Sequence, residues 1–149
     1  RRSSDLTPEG STDAPVNPLA LALVSGATFV ARGFAGDLPG LTSLMAEAMN
    51  HKGFAVLDVM QPCVTFDKVH TYQWYRQRLY RLADSGYTPD NKLKALEKAM
   101  EWGDKIPLGV FYKEDKPTSE ALEPALSGEP LNRLPLEVAH WDKLLNEFV

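Results

Sequence analysis

The chain of 149 residues holds a single cysteine and three histidines. One thiol cannot close an internal disulfide, which excludes a small cross-linked scaffold. Nor can it hold a metal alone, because zinc and iron–sulfur centres take about four ligands. His51, His70 and His140 are scattered, without the i, i+4 spacing of a helical metal site. Long apolar runs are missing: Pro18 to Val24 is the longest, far short of the roughly 20 residues that cross a bilayer. No excess of positive charge exists either. With 16 Lys and Arg against 20 Asp and Glu, the net charge is −4, which argues against a nucleic-acid backbone as partner. Ser25 lacks a G-x-S-x-G elbow, and no complete catalytic constellation is visible. Residue 1 is not Met, and no signal peptide opens the chain. The expectation is a cytoplasmic α/β protein trimmed or cut from something longer.

What is present is ordinary globular composition, 44% apolar and 24% charged. Residues 1–16 are polar and read as an exposed lead-in. Asn17-Pro18 is a helix start, Asn as cap and Pro where a missing N–H costs nothing. The helix over 19–25 is nearly all apolar and stops at Gly26. Thr28 to Arg32 is β-prone. Next, Leu41, Leu44, Met45, Ala48 and Met49 mark an amphipathic helix that Gly53 ends. The run 54–60 is apolar without alternation, as for a strand covered on both faces. Strand, helix and strand predict a right-handed βαβ unit with parallel strands. A helix is expected over 68–83, with Tyr72, Tyr75, Leu79, Leu82 and Ala83 on one stripe. Another is expected from an Asp90 cap through Leu93, Leu96 and Met100 to Gly103. Leu108 to Tyr112 is a third strand. Residues 114–149 hold eight acidic and three basic side chains, forming an acidic, Pro-containing tail with a terminal helix over 136–148.

Four features invite chemistry. Cys63 stands in the loop 61–67 after the second strand, and such loops line the functional crevice of parallel α/β sheets. A free Cys is also a common buried and inert residue. The glycines Gly33, Gly36 and Gly40 lie between strand and helix, where phosphate loops occur, but their spacing matches neither dinucleotide nor Walker pattern. A tight turn explains them, and a small flavodoxin-like ligand site is the rival. Lys68, Arg76, Arg78 and Arg81 share the 68–83 segment with Tyr72, Trp74, Tyr75 and Tyr80, and no carboxylate lies beyond Lys68 there. Such a face suits an acidic protein or simple solvation. Asp58 is a carboxylate inside an apolar strand, where a hydrogen-bonded partner is expected.

The segments 17–23 and 26–33, then 52–55, 62–66, 72–75 and 106–112, taken in order, closely resemble the β subunit of 2-oxoacid:ferredoxin oxidoreductases. The wording Ala27-Thr28-Phe29-Val30-Ala31-Arg32 is similar to the 2-oxoglutarate-type or broad-specificity branch. The resemblance implies a partial thiamine-diphosphate-binding α/β fold over 17–113. It implies an enzyme that decarboxylates a 2-oxoacid, acylates coenzyme A and passes electrons through a [4Fe–4S] cluster to ferredoxin. Thiamine diphosphate and Mg²⁺ are its cofactors, and an α subunit is its partner. Cys63 maps onto the last of four cluster ligands. The family's Gly-Asp-Gly motif and three earlier cysteines do not occur in these residues. The segment therefore resembles the C-terminal half of such a subunit, expected to bind neither cofactor nor cluster alone. The alternative is a non-catalytic α/β interaction domain that docks an acidic partner through helix 68–83.

Overall fold

A computed structural model of the chain describes residues 14–123, together with Gly128, Arg133, Leu145 and Asn146. Two compact units divide the chain after Lys116. In the second, Thr118 caps a short helix, α5 (Ser119–Leu122), its hydroxyl accepting from the Ala121 amide at 3.3 Å. Apart from Leu145 and Asn146, which are helical, the expected helix over 136–148, with His140, lies outside the described residues, as does most of the lead-in over 1–16.

The first unit carries the sheet. Asn17 caps α1 (Pro18–Val24) by accepting from the Ala20 amide, and Pro18 opens the helix as expected. Strand β1 (Phe29–Phe34) follows, then α2 (Leu38–Asn50) capped by Asp37, then β2 (Ala55–Met60). β1 and β2 pair in parallel with Phe29 opposite Ala55, which gives the βαβ unit. Among the described residues the sheet has four strands in the order β2-β1-β4-β3. Strand β4 (Ile106–Lys113) runs antiparallel to β1, and β3 (Leu79–Arg81) runs parallel to β4, so the sheet is mixed.

β1 is central and buried at all six positions. Alternation puts Val30 and Gly33 on opposite faces. Val30 joins the main core with Leu19 and Leu23 of α1 and with Ala95 and Ala99 of α4 (Lys92–Met100). Gly33 lies under Leu41 of α2, where a Cβ would collide with the Leu41 side chain. Opposite Val30 and Ala31 the β4 register shifts, leaving Phe111 as an extra residue. This bulge turns Phe111 and Tyr112 into the same core.

Several expectations change. The residues 54–60 are not covered on both faces: among the described residues β2 is an edge strand, and of its residues only Met60 is buried. α2 ends at Asn50, before Gly53, and its apolar stripe is buried only at Leu41, with Met49 86% exposed. The continuous helix over 68–83 does not form. A five-residue helix, α3 (Tyr72–Arg76), is capped by Thr71, and the chain then extends because 79–81 pair with 106–108 of β4. Sheet pairing outweighs the helical period there, in a segment already rich in β-favouring aromatics. A single 3₁₀ turn, Ala83–Ser85, follows. α4 is capped by Asn91 rather than Asp90, since the Asn91 side chain accepts from the Leu93 and Lys94 amides. The small residues Ala95 and Ala99 form its buried face, while Leu93 and Met100 point to solvent.

Candidate functional site

Arg32 is the least expected residue of the sheet. It lies in the middle of the sheet on β1, directly opposite Asp58 on β2, and is 3% exposed. Its Nε donates to Asp58 Oδ2 at 2.9 Å, which supplies the buried partner expected for Asp58. The guanidinium lies 5.6 Å from the ring centre of Phe111, the bulge residue, and 5.7 Å from that of Trp102. Its Nη1 is buried without a hydrogen-bond partner among the described residues. Burial raises the Tyr75 phenol above its ordinary value of 10.0, with Asp67 adding to the shift, so the site keeps that proton.

The end of β2 leads to Cys63. Pro62 is buried and anchors the loop, while the thiol itself is exposed. The Cys63 carbonyl accepts from the Asp67 amide at 2.9 Å. Asp67 in turn accepts from the Val69 and His70 amides through Oδ1 and pairs with His70 Nδ1 at 2.7 Å through Oδ2. The His70 amide, then its side chain and the Val69 amide, hold the Asp67 carboxyl down at about 2. Lys68 Nζ donates to the Val64 carbonyl, closing a compact loop. Val64, Phe66 and Val69 are left pointing outward from it, Phe66 being 77% exposed. Beneath the loop, Phe34 and Met60 at the ends of β1 and β2 meet Tyr72, Trp74, Tyr75 and Leu79, with Ile106 and Leu108 at the start of β4.

The chain can be aligned with proteins of known kind. The family profile for the C-terminal region of the pyruvate ferredoxin oxidoreductase β chain matches residues 63–127. The 2-oxoacid:ferredoxin oxidoreductase subunit beta of Saccharolobus solfataricus is 42% identical over 118 residues, covering 72% of this chain and 39% of that protein. The chain matches the C-terminal portion of 2-oxoacid:ferredoxin oxidoreductase β subunits. Subunit beta of 2-oxoacid:ferredoxin oxidoreductase 1 from Aeropyrum pernix is 46% identical over 107 residues, covering 65% of this chain and 34% of the relative. A solved structure superposes with a TM-score of 0.75 at 30% identity, over 96% of this chain and 47% of its own. It is the 2-oxoglutarate:ferredoxin oxidoreductase from Magnetococcus marinus with 2-oxoglutarate, coenzyme A and succinyl-CoA bound. The chain thus spans less than half the length of each of these three proteins.

The remaining candidates have structural roles. Gly33 belongs to β1 and Gly40 to α2, so the three glycines are not one phosphate loop. The Gly40 amide at the start of α2 is taken by Asp37 Oδ1 at 3.2 Å, so the chain's own carboxylate sits where an anion would. A cavity of about 530 Å³ borders α2, with Asp37 and Glu47 on its wall. Asp37 is held by Arg81 at 2.8 Å and Glu47 by Lys113 at 2.9 Å, an arrangement unlike a magnesium-diphosphate site. His51 bonds Thr28 Oγ1 at 2.8 Å, a structural tie across the start of β1. Ser25 caps the end of α1. Among the described residues no three His, Cys, Asp or Glu side chains gather closely enough to hold a metal, and no helix is long and apolar enough to cross a membrane. Arg32 was legible only as one charge inside a β-prone run, matching the single charge of Asp58 in the next strand.

Proposed function

We propose that this chain is the C-terminal part of the β subunit of a 2-oxoacid:ferredoxin oxidoreductase, with 2-oxoglutarate as substrate. The whole enzyme joins it to an α subunit in the cytoplasm and forms an acyl-CoA from the 2-oxoacid and coenzyme A. Thiamine diphosphate with Mg²⁺ and a [4Fe–4S] cluster are its cofactors, and ferredoxin receives the electrons. The collinear likeness to β subunits carries this reading, and the coenzyme A and 2-oxoglutarate in the Magnetococcus marinus enzyme's description support the substrate.

The residues present suit one share of a cluster site. Cys63 is exposed on a loop whose backbone is fixed by buried Pro62 and by the Asp67 amide, so a thiolate there would be presented without reordering the chain. The other ligands belong outside these residues, since Cys63 is the chain's single cysteine. Bound there, a cluster would accept and release one electron at a time. The residues around the cavity beside α2 do not fit thiamine diphosphate, which would be held elsewhere in the enzyme.

The test is Cys63→Ser in the complete β subunit, produced together with its α partner. The expected result is lost cluster iron and lost 2-oxoglutarate-dependent ferredoxin reduction, with the subunits still associated. Unchanged iron content and unchanged reduction would refute the assignment.

A further inference from the structure

The arginines that follow β2 in the chain divide into two kinds. Arg78 is turned onto Trp74, donating to its carbonyl at 3.1 Å and lying 4.1 Å from its ring centre. Arg76 and Arg81 instead line one recess of about 300 Å³, at the rim where β1 ends and β3 and β4 begin. The floor of the recess is apolar: Phe34 of β1, Leu79 of β3 and Leu108 of β4. The carboxylate on its wall is Asp37. Two guanidiniums against that one carboxylate leave a local charge of +1, in a chain whose net charge is −4.

The two arginines are prepared differently. Asp37 is fixed by its own helix, Oδ1 accepting from the Gly40 amide at 3.2 Å. Its Oδ2 accepts from Arg81 Nη2 at 2.8 Å, which orients that guanidinium while leaving its other donors without a partner among the described residues. Arg76, exposed at the end of α3, forms no ion pair among the described residues. An anchored guanidinium beside an unpaired one, above an apolar floor, is the chemistry that recognises an organic oxyanion. The planar forks take carboxylate or phosphate oxygens, and the apolar part of the ligand covers the floor. The recess shares Phe34, Asp37, Arg81 and Leu108 with the cavity of about 530 Å³ beside α2, which gives an apolar tail room to extend. We infer that this recess binds a small organic anion, its carboxylate or phosphate head on Arg76 and Arg81 and its apolar part on Phe34, Leu79 and Leu108. The inference goes beyond the enzyme assignment and does not rest on it: neither Cys63 nor any cofactor takes part.

NMR titration of the ¹⁵N-labelled full chain tests this, with phenyl phosphate and phenylacetate as probes and inorganic phosphate as the head group alone. The Nε–Hε signals of Arg76 and Arg81 and the amides of Leu79 and Leu108 are expected to shift together and saturate, with a Kd of about 1 mM for the tighter organic probe. Inorganic phosphate, which cannot cover the apolar floor, is expected to bind about tenfold more weakly. Arg76→Gln and Arg81→Gln are each expected to weaken the organic probe by about tenfold. Arg78→Gln removes the same charge outside the recess and is expected to leave the Kd unchanged. Tighter binding of phenylacetate assigns a carboxylate ligand, and tighter binding of phenyl phosphate a phosphate one. Shifts scattered over the surface arginines, equal binding of inorganic phosphate, or equal weakening by Arg78→Gln would each overturn the site.

Discussion

Removing the Asp58 carboxylate is the perturbation that reads the Arg32 site most directly. Arg32 is 3% exposed and, among the described residues, its guanidinium has one charged partner, Asp58, through a single contact at 2.9 Å. Nη1 already lacks a partner, so Asp58→Ala leaves a buried cation with neither charge compensation nor an acceptor at Nε. Breaking a buried pair in this way costs about 3 to 5 kcal/mol. The reverse change is milder. The Asp58 side chain is 24% exposed, so in Arg32→Met the carboxylate can rehydrate. The Met side chain also fills much of the volume beside Phe111 and Trp102, and the loss is about 1 to 2 kcal/mol. Arg32→Met with Asp58→Ala together should then be more stable than Asp58→Ala alone, a coupling opposite in sign to additivity. Urea unfolding followed by circular dichroism measures all three. With an m-value of about 1.5 kcal/mol/M, a loss of about 3 kcal/mol lowers the midpoint by about 2 M. If Arg32→Met is as destabilising as Asp58→Ala, the penalty does not come from an unpaired buried cation, and the role given to Arg32 is refuted.

Three further outcomes are expected. Asn17→Ala removes the α1 cap at Ala20 and the 2.7 Å bond from Nδ2 to the Ala99 carbonyl of α4, so it should cost about 1 to 2 kcal/mol in urea unfolding; Asn17→Asp, which keeps the cap and loses the amide donor, should recover part of this. Asp67 has a folded value of about 2 against the ordinary 3.8, so its contribution to the 63–70 loop is complete above 3.8 and is lost as pH falls toward 2; an NMR titration should place its midpoint near 2, with the Val69 and His70 amides shifting in step, and a midpoint near 3.8 would contradict the loop geometry. Gly53→Ala should lower the melting temperature more than Gly86→Ala: both glycines have positive φ, +145 and +72, but a Cβ at residue 53 would also strike Thr28 Oγ1, whereas open space surrounds residue 86.

Local signals located much of this fold and missed what depends on distant pairing. Asn17-Pro18 marked α1 because capping is decided within a few residues. The parallel β1–β2 pair followed from strand, helix and strand, since a crossover of that length leaves few alternatives. The edge position of β2 could not be read from its apolar run, because burial depends on which strands come to lie beside it. β3 was hidden for a similar reason: Leu79 fits a helical stripe, and only the partner strand 106–108 pulls residues 79–81 straight. At the site, Cys63 was visible as the lone thiol after a strand. The link between Arg32 and Asp58 was not, because it depends on parallel register across 26 residues of chain.

The bidirectional sheet has a mechanical consequence. Because β4 and β3 oppose β1, the ends of β1 and β2 and the beginnings of β3 and β4 meet at one rim, and there they enclose a separate small core around Phe34, Met60, Ile106 and Leu108. The larger core lies with α1 and α4. The rim under the Cys63 loop can therefore loosen while the larger core stays closed, giving two levels of amide-exchange protection in one sheet.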